Sequence, residues 1–144
     1  MPVFDKNLLV GNFKKSGVCL EIYEEAASTN DKAFELLNEN PLCAAIAETQ
    51  TSGRGRLGRK WQGASGESLF FSGGFVADKS TKLLSVPCRV AILLCGQLKA
   101  AFGANLQIKW PNDIYFNGKK LCGILCEAKA ENGKISKAVV GIGV

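Results

Sequence analysis

The sequence predicts an α+β fold: a mixed, largely antiparallel sheet with helices packed on one side. Three observations lead there. Apolar runs of strand length flank only two amphipathic helical stretches, so the pattern lacks the strand–helix alternation of a parallel doubly wound sheet. The second half carries two tight-turn signals between apolar runs, Asn117–Gly118 and Asn132–Gly133, as consecutive antiparallel hairpins require. The length of 144 residues suffices for one core, and a single domain is expected over 1–144.

Each element follows from its residues. The first seventeen residues receive no assignment. VCLEIY at 18–23 reads as a strand. Ser28 then offers a side-chain oxygen as N-cap, Asp31 sits at N3, and AFELL supplies the apolar stripe of a helix. CAAIAE at 43–48 is a largely buried strand that runs into a loop over 50–66. SLFFSGGFV at 68–76 is a third strand, in which Gly73–Gly74 marks a bulge or a close backbone approach. The longest helix spans 86–102, with Ser85 before it and Gly103 as its stop. LQIKW at 106–110 is a strand broken by Pro111; IYF and KLCGILCEAKA form a hairpin on a type I′ turn, and ISKAVVGIGV is the last strand. The sequence stops on that apolar strand, so we expect a domain incomplete at its C-terminus, without a further β-domain, whose edge makes a homodimer plausible.

Composition excludes several chemistries. There is no histidine, which removes His triads, His general bases and His metal ligands. The six cysteines, at 19, 43, 88, 95, 122 and 126, form no CxxC and sit among apolar neighbours, as buried reduced thiols do. No signal-peptide pattern opens the chain and no apolar run approaches membrane-spanning length, which points to a cytoplasmic protein without a membrane partner. A net charge of +5 suits anionic small molecules or an acidic protein better than a nucleic acid.

The stretch GRGRLGRKW, residues 53–61, packs four cations and three glycines into nine residues, with no acidic residue between Glu48 and Glu67. Glycines let successive backbone N–H groups converge on an anion, and Arg54, Arg56 and Arg59 add forked donors. A solvated flexible loop and an RNA-contacting patch are the other readings of this segment alone. KWPND places Lys109, Asn112 and Asp113 at a strand end, where a plain turn explains Pro–Asn–Asp equally well. In GKKLCGIL, Lys119 and Lys120 point to opposite faces, so one can look inward while the other is solvated. Ser28, Thr29 and Asn30 put hydroxyl and amide groups at a helix start.

In this order and spacing, STN (28–30), ETQTSGRGRLGRKW (48–61), KWPND (109–113), GKKLCGIL (118–125) and GIG (141–143) resemble the biotin protein ligase family. The resemblance implies a fold of the class II aminoacyl-tRNA synthetase/biotin ligase type. It implies an enzyme that joins biotin to ATP, forming biotinyl-5′-AMP, and transfers biotin to a lysine of a biotin carboxyl carrier protein domain. A catalytically incomplete binder of biotin or its adenylate is the alternative.

By the same resemblance, Ser28, Thr29, Asn30 and Gln50 would hold the ureido head of biotin. Gly53, Arg54, Gly55 and Arg56 would form a loop that closes over biotin and the adenylate phosphate, unorganised until ligand arrives. Lys120 would contact the carboxylate and phosphate oxygens, making Lys120, Arg54 and Arg56 the catalytic group. Arg56, Arg59, Trp61, Lys109, Asn112 and Asp113 would receive the nucleotide, with Asn112 and Asp113 beside its Mg2+ and no dedicated metal site. The DNA-binding domain of many bacterial relatives has no room before the first strand, so no DNA partner is expected.

Overall fold

A helix that the sequence reading left unassigned opens the computed structural model, which describes residues 5–78 and 81–144. It is α1 (Lys6–Lys15), capped by Asp5, whose carboxylate accepts from Leu8 N at 3.1 Å. Gly11 interrupts its apolar stripe, which hid it from periodicity; Leu9 and Phe13 nevertheless pack on Leu20, Ala44 and Ile46. Then follow β1 (Cys19–Ala26), α2 (Thr29–Leu36), β2 (Leu42–Gln50), β3 (Phe70–Val76), α3 (Val86–Phe102), β4 (Leu106–Lys109), β5 (Asp113–Phe116), β6 (Lys119–Glu131) and β7 (Lys134–Gly143). Ser28 is the N-cap of α2 as expected, its hydroxyl accepting from Asn30 N. Gly103, at φ 66°, closes α3.

The seven strands lie in the order β1-β2-β3-β7-β6-β5-β4. Every neighbouring pair is antiparallel except β1 and β2, which run parallel across the α2 crossover. Both hairpin turns have positive φ at their two central residues, Asn117 and Gly118, then Asn132 and Gly133, as type I′ turns demand.

The fold class is as expected, but the helices do not share one side. Residues alternate across a strand, and on β2 Cys43 and Ala45 meet Ala33, Phe34 and Leu37 of the α2 segment while Ala44 and Ile46 meet α1. On β7, Val139 joins the α2 cluster, whereas Val140 and Ile142 pack with Ile114, Cys122, Ile124 and Ala91 of α3. So α2 occupies one face, and α1 and α3 the other.

Two further expectations need correction. Gly73–Gly74 is not a bulge, because the β2–β3 register runs unbroken from Leu42↔Phe75 to Ala47↔Phe70. Gly74 instead admits side chains: a Cβ there would lie 2.8 Å from Cys43 Sγ and 3.1 Å from Leu37 Cδ1. Second, Leu83–Phe102 is a 20-residue helical stretch of mean hydropathy 1.4, long and apolar enough to cross a membrane by length and composition. Arg89 and Lys99 break the run in the sequence. In the fold it lies on the sheet through Val90, Ala91, Leu94 and Cys95, with Ile92 and Leu93 exposed. The six cysteines are free, and burial pushes the Cys43 thiol up to about 11 and that of Cys122 up to about 12.

Candidate functional site

The α2 face has a floor where side chains are missing. Gly123 and Gly143 pair across β6 and β7, and a Cβ on either would collide with the indole of Trp61. A Cβ on Gly141 would collide with Asn30 Oδ1. The ring of Trp61 therefore lies on bare backbone, and it also packs against Ala26, Ala47 and Phe70. Above this floor opens a cleft of about 380 Å³, lined by Ser28, Thr29, Asn30, Gln50, the 54–61 loop, Asn112, Asp113 and Lys120. That lies within the ~300–1,000 Å³ usual for small-molecule sites.

The glycine–arginine loop has backbone bonds of its own. It is a small hairpin: Trp61 N donates to Gly53 O at 2.9 Å, Gly55 N donates to Arg59 O at 2.7 Å, and Arg54 bridges Lys60. Leu57 and Gly58 turn its tip with φ of 58° and 73°. What holds it is charge from elsewhere in the chain. Arg54 donates to both oxygens of Asp31, at 2.7 and 2.9 Å, and to Glu127 at 3.1 and 3.3 Å. The guanidinium holds the Asp31 carboxyl below the usual carboxylate range, against a smaller opposing effect of burial, and the two carboxylates push Arg54 further up.

Arg56 is held more lightly, donating from Nη1 to Asn112 Oδ1 at 3.1 Å. Asn112 is fixed in turn, because its Nδ2 donates to Ile124 O at 2.9 Å. Arg54 is thus satisfied by the protein, while Arg56, Arg59 and Lys60 keep side-chain donors without an acceptor among the described residues.

A bulge decides which lysine enters. Ile114 pairs with Cys122 but Tyr115 with Lys120, so Leu121 is an extra residue on β6. Strict alternation back from Gly123 would send Lys119 to the cleft and Lys120 to the α3 face. The extra residue reverses this, as bulges re-aim side chains. Lys120 Nζ lies 2.9 Å from Asp113 Oδ1 and 5.1 Å from the Trp61 ring centre; Lys119 lies on the opposite side of the ribbon, and both residues keep solvent exposure. The Asp113 contact is ionic without an aligned hydrogen bond, so this buried oxygen has a cation beside it but no hydrogen-bond donor.

At the other end the groups are neutral. Thr29 N and Oγ1 reach Gln50 Oε1 at 2.7 and 3.1 Å, and Ser72 Oγ lies 2.7 Å from Thr29 Oγ1 and 2.6 Å from Asn30 Oδ1. Ser28, Thr29, Asn30 and Ser72 are all buried.

The structure therefore brings together Ser28, Thr29, Asn30, Gln50, Arg54, Gly55, Arg56, Arg59, Trp61, Asn112, Asp113 and Lys120 around one cleft. Gly53 lies at the loop base, under Gln50 Nε2. Lys109 is not brought in: it is exposed at the end of β4, its Nζ 5.2 Å from the Tyr115 ring. Sequence reasoning passed over Asp31, Ser72 and Glu127 as site residues. Period two along β6 was an available signal, since Gly123, Leu125 and Glu127 share a face.

An open sheet face with a neutral hydrogen-bonding end and a cationic end defines the class: an α+β protein whose cleft suits a ligand with a polar uncharged head and an anionic tail. Residues 23–144 match the sequence model of the biotin/lipoate A/B protein ligase family, and the chain belongs to that family. It is 37% identical over 129 residues to the bifunctional ligase/repressor BirA of Bacillus spizizenii, covering 85% of this chain and 39% of that protein. It is 37% identical over 123 residues to the biotin–[acetyl-CoA-carboxylase] ligase of Paracoccus denitrificans, covering 81% of this chain and 50% of that one. The structure of the Aquifex aeolicus biotin protein ligase in complex with biotin and ATP superimposes with a TM-score of 0.71 at 36% identity, covering 88% of this chain and 51% of that one. The chain thus spans about half or less of the length of these relatives.

Proposed function

We propose that this chain forms the ligand-binding part of a biotin protein ligase, which activates biotin with ATP and passes it to a carrier lysine. In the first step a biotin carboxylate oxygen attacks the α-phosphorus of ATP, giving biotinyl-5′-AMP and pyrophosphate. In the second a lysine amine displaces AMP, forming an amide and releasing a proton. The first step drives one anion against another, so cations and fixed donors matter more than a general base.

The observation that carries this reading is the two-ended cleft. Ser28, Thr29, Asn30 and Gln50 suit an uncharged ureido ring, and Lys120, Arg56, Arg59 and Lys60 suit a carboxylate joined to a phosphate. Trp61 offers an aromatic surface at the cationic end. Arg54 takes a supporting part, anchoring the loop through Asp31 and Glu127.

Magnesium, which ATP carries, suits the same end. Mg2+ keeps waters and takes only one or two protein carboxylates beside phosphate oxygens. Asp113, whose buried Oδ1 also has the Lys120 ammonium beside it at 2.9 Å, would hold it, and Asn112 lies next to it. The ion supplies charge neutralisation for the triphosphate.

The test is biotin-dependent ATP–pyrophosphate exchange beside calorimetric titration with biotin. Exchange is expected. Binding without exchange would mark a non-catalytic binder. Lys120→Ala should cut adenylation by about 10²–10³-fold. Arg56→Gly should let the adenylate escape and label lysines at large; labelling that stays confined to a carrier domain would remove Arg56 from its retention.

A further inference from the structure

The neutral end of the cleft is wired to a charge. Glu127 Oε2 lies 2.6 Å from Asn30 Nδ2, 97 residues away in sequence. A carboxylate can only accept, so Asn30 must turn its NH2 toward Glu127 and its Oδ1 away. That Oδ1 is 2.6 Å from Ser72 Oγ and has to accept from it. A hydroxyl has one proton, so Ser72, having given it to Asn30, must accept from Thr29 Oγ1 at 2.7 Å. Thr29 Oγ1 is then committed to Ser72, and Gln50 Oε1 is satisfied by Thr29 N at 2.7 Å. The chain Thr29 → Ser72 → Asn30 → Glu127 has one direction, fixed at its charged end.

Two groups are left over. Gln50 Nε2 and the second Asn30 N–H have no protein acceptor among the described residues, and both residues line the cleft. The same carboxylate also takes Nε and Nη2 of Arg54, tying the loop hairpin to the chain.

We propose that Glu127 is a positioning residue: it orients the Thr29–Ser72–Asn30 chain and seats Arg54, so that the neutral end of the cleft offers donors and selects a head group bearing a carbonyl oxygen. This deepens the biotin reading above and rests on it. Glu127 touches no ligand in this role. Reversing the chain would turn an acceptor toward the ligand, and a buried ligand carbonyl would then lose its partner.

The experiment compares wild type with Glu127→Gln, Ser72→Ala and the double variant. Biotin affinity is read by calorimetry, with 2-iminobiotin (C=NH in place of C=O) as the specificity probe. Each single change should weaken biotin binding about ten- to hundredfold, the range for hydrogen bonds involving a charged group. The double variant should lose no more than the worse single one, because both break one chain. Glu127→Gln should also narrow the preference for biotin over 2-iminobiotin. Additive losses, unchanged affinity or an unchanged preference would each overturn the inference.

Ser72→Ala touches no charge, so it tests the chain even if Glu127→Gln fails to fold. A ligand-free readout separates this inference from the function it rests on. The Asn30 side-chain N–H of the wild type should resonate well downfield of ordinary asparagine amides, and it should move upfield in Glu127→Gln. Wild type that takes no biotin but shows that shift refutes the biotin reading and leaves the wiring standing; an ordinary Asn30 resonance refutes the wiring.

Discussion

The two faces of the sheet are made by the same strands and share almost no chemistry. On β6, Cys122, Ile124 and Cys126 point to α3, while Gly123, Leu125 and Glu127 point to the cleft. On β7, Val140 and Ile142 oppose Gly141 and Gly143. One parity carries branched or sulfur-bearing side chains that a helix covers. The other carries only hydrogen atoms at Gly123, Gly141 and Gly143, so that Trp61 and Asn30 can lie directly on backbone. Period two thus lets a strand serve as core and as binding floor at once, provided that each residue keeps its side.

That division can be attacked from either side. The largest effect belongs to the closed face. Ile124, almost fully buried, should cost about 2–5 kcal/mol when cut to alanine, read from the urea midpoint, with biotin affinity of the folded protein nearly unchanged. Next comes the floor. Gly143→Ala should force the Trp61 ring off the sheet and cost about 1–3 kcal/mol as an overpacking change. With Trp110, which is exposed, replaced by Phe, the remaining tryptophan emission should shift to the red.

The loop latch is weaker, because Asp31 is half-exposed. Its carboxyl is depressed in the folded state, so its contribution is present in full above the ordinary carboxylate pKa of about 3.9 and is lost as pH falls through the lower folded value. Acid unfolding should therefore separate wild type from Asp31→Asn at neutral pH and bring the two curves together at the acid end. Smallest is Leu57, exposed and at positive φ on the hairpin tip. Leu57→Gly should raise the thermal midpoint, with a gain of no more than about 1 kcal/mol after the added chain entropy of glycine.

How far the sequence reveals this arrangement differs between the faces. The strands, both type I′ turns and the stop at Gly103 could be read because each depends on a few adjacent residues. The parallel β1–β2 pair was signalled too, since a strand, a helix and a strand follow one another before residue 50, and such a crossover returns the chain in the same direction. Residues 53–61, 109–113 and 118–125 could be recognised as parts of one site, and all but Lys109 of the residues expected there line the cleft or its base. What escaped is non-local. The partners of Arg54 stand 23 residues before it and 73 after it, so a loop with no acidic neighbour looked uncompensated. The sidedness of the helices escaped because it depends on which parity of β2 and β7 each helix meets.

Leu121 turns the segment between the Asn117–Gly118 turn and Gly123 into a ruler. A change of residue type there alters chemistry locally, but a slip of register that drew Leu121 into the pairing would exchange the two ammoniums. Deleting Leu121 would leave an unbroken alternation, with Lys120 still on the cleft side beside Gly123 and Lys119 on the other face. Changes of length before Gly123 should therefore be judged by parity: loss of the one unpaired residue keeps Lys120 in the cleft, whereas a paired residue added between Lys120 and Gly123 would turn it away.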